Sequence, residues 1–264
     1  MSKKLLLIKI LFKINFSLCE LFCKTFYNSF KIIYKNKSFE EIAATCSKSY
    51  LQNDPHNDLR RMFTEAVSSN YSPRQSSLYL SISKILSFKK KITVLELGGG
   101  GGEHYYSIKN NLGDEIIEKY IIWEIPFFKD KIAPLHNDNK IKYIVTDELK
   151  HYDFPKIDIA YISGTLQYLQ DYQSYLKMIT DIQPNFVLIN RTPFWNFKTT
   201  AIKQFMGGNS NATNAAWIFN EKDIDDLMQS QYKKLPLTFG VHDNPIVIPY
   251  GHYPYKSFIY ELIS

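Results

Sequence analysis

Ile92-Thr93-Val94-Leu95-Glu96-Leu97-Gly98-Gly99-Gly100-Gly101-Gly102-Glu103-His104 decides how the chain is read. Its first six residues are a short, largely apolar run of the kind a sheet buries on both faces. Five of the chain's eleven glycines follow at once. They remove every Cβ between backbone and ligand, so the chain can turn sharply and aim amide hydrogens at a polar group where the next helix starts, near Glu103. A strand, a glycine cluster and a helix in that order predict a ligand loop at the carboxyl end of a strand. The dinucleotide fingerprint needs glycine at its first, third and sixth positions, and the sixth position from Gly98 is Glu103.

Outward from this loop, further short apolar runs lie at residues 120–125, 141–145, 157–162 and 186–189, each followed by a turn or a helical pattern. Such runs predict parallel strands covered by helices on both faces, an α/β doubly wound sheet. The tail differs. Residues 235–241 and 257–262 are joined through Pro245, Pro249, Gly251 and Pro254 with no helix between them, which suits an antiparallel pair and brings the sheet to seven strands. Ahead of the first strand, Ser38 and Glu41 form a capping-box pattern, and residues 59–67 and 75–86 read as further helices. The chain divides into an arm at 1–37, a helical segment at 38–90 and the main domain at 91–264.

Glu96, Gly98, Gly100 and Gly102 stand at alternate positions. This resembles the E/D-x-G-x-G-x-G first motif of class I S-adenosylmethionine-dependent methyltransferases. The resemblance implies a Rossmann-like fold, S-adenosyl-L-methionine as cofactor, and a loop of Gly98, Gly99, Gly100 and Gly102 around its methionine part, supported by Glu96. An acid at the end of the next strand can accept hydrogen bonds from both ribose hydroxyls, and Glu124, 22 residues beyond Gly102, is in that place. Asp147, beside Glu148, resembles the family's acid for the adenine amino group. Ser163-Gly164-Thr165-Leu166-Gln167-Tyr168-Leu169-Gln170-Asp171 is similar to the run that follows strand four beside the transferred methyl, with Gln167 and Tyr168 where a histidine pair often occurs. Together with Ser38-Phe39-Glu40-Glu41, Asn190-Arg191-Thr192-Pro193-Phe194 and Ala216-Trp217-Ile218-Phe219, these motifs look like a family of bacterial methyltransferases found with surface-polysaccharide genes. That narrower resemblance implies the fold, the cofactor and a pathway but no particular substrate; the acceptor expected within that pathway is a small-molecule or lipid-linked glycan precursor.

Methyl transfer requires in-line alignment of acceptor oxygen, methyl carbon and sulfur, so little covalent machinery is needed. A sugar hydroxyl benefits from a base, whereas a phosphoryl or phosphoramidate oxygen needs only positioning. His104, just inside the helix after the loop, is the candidate catalytic residue: its pKa is expected to be lowered by the helix dipole, and it serves as a neutral base or as a donor to the cofactor carboxylate. Arg191 is expected at the carboxyl end of the fifth strand, to clamp a phosphate or carboxylate or to pair with Asp158 or another surface acid, and Asn190 beside it, with Gln167 and Tyr168, is a substrate-binding candidate. Tyr105, Tyr106, Phe194 and Trp195 are expected to flank the pocket, and residues 192–216 to form a mobile lid.

Composition narrows the alternatives. The 264 residues, 45% hydrophobic, suffice for one enzyme-sized domain and exclude a disordered or repeat protein. Residues 1–37 hold eight lysines against Glu20, a balance of +7 within a total of +6, which leaves −1 for the rest. A nearly neutral body argues against a phosphate-tracking groove, and so against nucleic acid as partner; the missing N/D-P-P-Y/F tetrad opposes an RNA methyltransferase. Cys19, Cys23 and Cys46 form neither a metal set nor a disulfide framework, which fits the reducing cytoplasm. Lys9, Lys13, Ser17, Glu20, Lys24, Asn28, Lys31 and Lys35 line a polar stripe on an otherwise apolar helix. Its recurring charges exclude a membrane span and a secretory leader. The helix either lies on an anionic membrane surface, making the protein peripheral on the inner face, or packs on a protein. A nicotinamide-dependent sugar oxidoreductase and a non-catalytic cofactor-binding scaffold are the competing readings.

Overall fold

The computed structural model describes residues 30–33, 37–46, 59–205, 213–241, 246–248, 251–252 and 255–263. Its strands are β1 (Phe30–Ile33), β2 (Ile92–Leu97), β3 (Ile117–Trp123), β4 (Ile141–Ile144), β5 (Ile159–Ser163), β6 (Phe186–Trp195), β7 (Thr200–Phe205), β8 (Thr213–Asn220), β9 (Tyr232–Val241), β10 (Ile246–Ile248), β11 (Gly251–His252) and β12 (Tyr255–Leu262). Its helices are α1 (Phe39–Ala43), α2 (Leu59–Val67), α3 (Ser76–Leu86), α4 (Glu103–Leu112), α5 (Pro126–Lys131), α6 (Tyr172–Ile182) and α7 (Glu221–Met228). The glycine-loop strand β2 is central, in the order β4-β3-β2-β5-β6-β12-β9. All neighbours are parallel except at β12, which runs antiparallel to both β6 and β9. This is the expected seven-stranded, mostly parallel α/β sheet with its antiparallel terminal pair.

Register brings the carboxyl ends level. Leu97 pairs with Trp123 and with Ile162, Trp123 with Ile144, and Ser163 with Asn190. The residues that follow these strands therefore share one edge. Alternation along each strand decides the faces. Ile92, Val94, Tyr120, Ile122, Tyr161 and Leu188 pack toward α3 and α4, while Leu95, Leu97, Ile121, Trp123, Ile162 and Ile189 pack toward α6 and α7. Glu96 and Asn190 share the parity of Val94 and Leu188, so both polar side chains point into the α3/α4 side. At the start of the helical segment, Ser38 caps α1 reciprocally with Glu41 as its sequence predicts.

Two expectations fail because they concern non-local pairing. The described residues of 192–216 do not form an irregular lid. Residues 192–195 continue β6, whose Phe194 and Trp195 leave the main sheet to pair with Phe219 and Asn220 of β8. There a second sheet begins, in the order β8-β7-β1-β10-β11, over a small core of Ile33, Trp195, Ile202, Ala216 and Ile218. Residues 206–212, with their glycine run, lie outside the described residues. Residues 30–33, read as the last turn of the arm helix, are instead β1, paired with β7 and β10. A short apolar run fits either period, and the partner strands decide. The rest of that helix, residues 1–29, lies outside the described residues. Among the described residues no helix is long and apolar enough to cross a membrane.

The helix that follows the glycine loop is pinned at Asp138, which accepts hydrogen bonds from the Tyr105 hydroxyl, from Lys109 Nζ (2.6 Å) and from the Lys140 amide (3.1 Å). Burial opposes ionisation, but these donors outweigh it and hold the Asp138 pKa down at about 2. A depressed carboxylate pKa stabilises the fold above its unfolded value and is lost as pH falls toward 2. Asp138→Asn should therefore cost about 2 kcal/mol at neutral pH. In thermal melts that difference should shrink below pH 4 and vanish near 2; a difference constant with pH would contradict it.

Candidate functional site

Gly98, Gly100 and Gly102 have φ of +75°, +53° and +83°. Gly98 is also crowded: a Cβ there would lie 2.2 Å from Thr165 Oγ1, because the turns after β2 and β5 press together. Gly100 is the opposite case. A Cβ there would meet nothing within 4 Å, so the middle of the loop borders open space. The Gly100 amide donates to Glu124 Oε1 (3.0 Å), and Glu124 Oε2 accepts from the Ile125 amide (2.8 Å). Burial raises the Glu124 pKa, and the two amide donors hold it back in part. Glu124 is thus at the expected strand end and already touches the loop.

Two residues that sequence reasoning missed hold the other side of Gly100. The Tyr143 hydroxyl donates to the Gly100 carbonyl (2.8 Å), His136 Nε2 lies 3.1 Å from the same hydroxyl, and His136 Nδ1 lies 3.0 Å from the Tyr106 hydroxyl. Burial lowers the His136 pKa to about 4, so the ring is neutral at pH 7. A carbonyl can only accept, so Tyr143 spends its proton on Gly100 and must accept from His136 Nε2–H; Nδ1 is then bare and accepts from Tyr106. The loop peptide is gripped by β3 on one side and β4 on the other. Nothing in the sequence marks this chain beyond a tyrosine near the carboxyl end of β4.

Glu96 does not face the loop's open side. It is 1% exposed, accepts from Tyr120 Oη (2.7 Å) with one oxygen, and lies 2.5 Å from His104 Nδ1 with the other. That contact reverses the expectation for His104. Burial works against the charged ring, but the Glu96 carboxylate beside it wins and the His104 pKa is raised. A full ionic contact outweighs the helix dipole, which is worth only about 0.3–1 kcal/mol. The ring stands edge to face on Tyr161, 4.9 Å between centroids.

Arg191 lies inside β6 rather than beyond its end, with φ +49°, where the pairing of β6 with β12 shifts register. A bulge of this kind re-aims a side chain. Here it carries the guanidinium over Gly164, 3.8 Å from the position of a Cβ on that glycine. The alternative partner Asp158 is elsewhere, held by Lys89 Nζ (2.8 Å), the Thr93 amide (2.7 Å) and Asn185 (3.2 Å). Asn190 faces the protein interior. It is fully buried and spends its amide on Arg74 O (2.8 Å), Tyr161 Oη (2.5 Å) and Ser163 Oγ (3.2 Å), while accepting from the Ser257 hydroxyl. Gln167, 2% exposed, donates to Gly164 O (2.9 Å), and Tyr168 Oη donates to Gln204 of β7 (3.3 Å), so both face inward or toward the second sheet.

Gly164 (φ +69°) turns the chain after β5 at the same edge. Of the two adjacent acids, Glu148 is tied to Lys129 and the Val145 amide (3.1 Å), which leaves Asp147 as the exposed one. Tyr105, Tyr106, Phe194 and Trp195 are buried and do not flank an open pocket. Among the described residues no cluster of His, Cys, Asp and Glu could hold a metal ion.

No protein-family model and no curated protein matches the chain. Several solved structures are similar to the chain at low identity. One is an S-adenosylmethionine-dependent methyltransferase from Clostridium acetobutylicum, at 11% identity and TM-score 0.49 over 79% of this chain and 99% of that one. Another is the N-methyltransferase NodS from Bradyrhizobium japonicum in complex with S-adenosyl-L-homocysteine, at 9% identity and TM-score 0.47 over 78% and 97%. A third is CalS10, an amino pentose methyltransferase from Micromonospora echinaspora, at 8% identity and TM-score 0.45 over 73% and 92%.

Proposed function

We propose that the chain is an S-adenosylmethionine-dependent methyltransferase that methylates an oxygen of a surface-glycan precursor. The observation that carries the cofactor is the pairing of Gly100 with Glu124 at the carboxyl edge: a left-handed glycine beside open space, with a carboxylate in reach of whatever fills that space. Backbone amides at a loop leading into a helix suit the zwitterionic methionine tail, and a carboxylate suits two vicinal hydroxyls. Exposed Asp147, one strand further along the same edge, suits an exocyclic amine. Ser163 and Gly164 close the crevice from the β5 side. When bound, the cofactor supplies an electrophilic methyl on sulfur; the chain's own work is to align the acceptor and exclude water. Arg191, carried over Gly164 by the bulge in β6, is placed to hold an anionic group of the acceptor.

The glycan acceptor rests on the motif resemblance, and the basic arm of residues 1–29 would keep the protein near an anionic membrane where such glycans are assembled. Mass spectrometry of surface glycan from a deletion strain tests the acceptor. One methyl per repeat should be missing and should return with the wild-type gene. Unchanged glycan from a strain lacking a protein that binds S-adenosylhomocysteine would favour the non-catalytic scaffold.

A further inference from the structure

We infer that Glu96 and His104 form a general-base dyad that takes the proton from a neutral hydroxyl of the acceptor, so that the acceptor class is an alcohol rather than a phosphate or carboxylate. This rests on the methyltransferase reading and deepens it.

The orientation is forced. Glu96 is sealed in the α3/α4 side of the sheet, and its Oε2 is occupied by the Tyr120 hydroxyl. An ionised carboxylate can only accept, so the 2.5 Å contact at Oε1 requires a hydrogen on His104 Nδ1. In the neutral ring the lone pair is then on Nε2, to which no described residue donates. The imidazole cannot swing away, since it sits on α4 directly after Gly102 and its edge rests on the Tyr161 ring. The His104 side chain is 13% exposed, the outermost member of an otherwise enclosed cluster.

A second role for the same ring, anchoring the carboxylate of the cofactor's amino-acid tail, fits the pair less well. A charged His104 in contact with Glu96 is a neutral ion pair and attracts an anion only weakly. Arg191, close enough to oppose the charging of His104, already contributes positive charge there. Glu96 becomes useful when His104 gains a proton, because it stabilises the imidazolium as it forms. The groups that face the ring are Glu96 of β2, Glu103 of α4, Tyr161 of β5 and Arg191 of β6, with Tyr120 of β3 behind Glu96. Burial and Arg191 oppose protonation, whereas Glu96 and Glu103 favour it and prevail. A raised pKa makes His104 the stronger base once its own proton is gone, so kcat should rise with pH through that raised value.

In the step itself the acceptor oxygen forms its bond to the methyl carbon as the carbon–sulfur bond breaks. The bonding pair stays on sulfur, which goes from sulfonium to thioether, and the hydroxyl proton passes to Nε2. His104 later returns that proton to water. An anionic oxygen would have no proton to give, and the dyad would be idle.

The test combines His104→Gln, Glu96→Gln and the wild-type protein. Labelled S-adenosylmethionine is supplied with surface glycan isolated from a deletion strain, and S-adenosylhomocysteine binding is followed by calorimetry. His104→Gln should lose at least about a hundredfold in kcat while its S-adenosylhomocysteine Kd stays within about threefold, as a general base outside the cofactor contacts requires. Glu96→Gln should move the acid limb of the kcat profile to lower pH, and the transferred methyl should appear in proton NMR as an ether singlet. Long-range nitrogen NMR of the wild type, on the alkaline side of the raised His104 pKa, should show the ring protonated at Nδ1 and bare at Nε2, a readout that survives any misfolding variant. A tenfold loss of S-adenosylhomocysteine affinity in His104→Gln with kcat retained would overturn the proposal in favour of an anchor. A methyl signal split by phosphorus, or a neutral ring that carries its hydrogen on Nε2, would overturn it too. Failure of the wild type to bind S-adenosylhomocysteine at all is a different result and removes the methyltransferase reading itself.

Discussion

Gly98→Ala should abolish measurable S-adenosylhomocysteine binding and destabilise the fold by about 2–5 kcal/mol. Two costs add. An alanine held at φ +75° costs about 1–2 kcal/mol from the clash of Cβ with its own backbone. The new methyl would also lie 2.2 Å from Thr165 Oγ1, 2.5 Å from Cγ2 and 2.8 Å from Cβ, so the turn after β5 must retreat, and overpacking of this kind costs about 1–3 kcal/mol. Binding suffers more than stability because that retreat separates the two turns that would enclose the cofactor. Thr165→Gly in the same chain should return the packing share of the loss but not the backbone share. Gly100→Ala, with open space at its Cβ, should cost only about 1 kcal/mol of backbone strain. Denaturant melts and calorimetry on the four proteins check this ordering, and a wild-type-like Gly98→Ala would contradict it.

Glu124→Ala should weaken S-adenosylhomocysteine binding about a hundredfold, or about 2.7 kcal/mol, the loss expected when two hydroxyls lose a charged acceptor. Stability should change little, since the Gly100 and Ile125 amides released by the truncation stand at the solvent edge. Glu124→Gln keeps one acceptor and should fall between the two. Because burial raises the Glu124 pKa, the carboxylate neutralises at a higher pH than an ordinary glutamate. Affinity should therefore be flat above that raised value and fall as pH drops through it, and this dependence should be absent in Glu124→Ala. Calorimetry from pH 8 down to 4.5 checks both points. An unchanged Kd in Glu124→Ala would mean that the ligand lies elsewhere.

What could be read from the chain alone was whatever depends on neighbours in sequence. Ile92–Leu97, the glycines after it and the helix start at Glu103 are one local unit, and all three lie where the residues predict. Glu124 was found because parallel strands of similar length end level. Reasoning failed where distant segments decide. Phe30–Ile33 looked helical until β7 and β10 were there to pair with it, and the segments flanking residues 206–212 looked like a loop because their partners are each other and β1. Asn190 was misjudged for a related reason. Its position at the cofactor edge is as expected, but strand parity turns it inward, onto Tyr161 and the Arg74 carbonyl. The His104 pKa went the wrong way because Glu96, eight residues earlier, sits on the same face of the sheet as the helix that carries the ring. His136 and Tyr143 have no sequence signature at all; their meaning lies in reaching one carbonyl of the glycine loop.

The account stands on a nucleoside with an amino-acid tail occupying the crevice between the glycine loop and Glu124. Amide hydrogen exchange of the wild-type protein, with and without saturating S-adenosylhomocysteine and with NAD as control, tests that most directly. Protection should rise at residues 98–102 and 124–125 with S-adenosylhomocysteine and remain unchanged with NAD. Protection confined to other segments, or the same response to NAD, would contradict it.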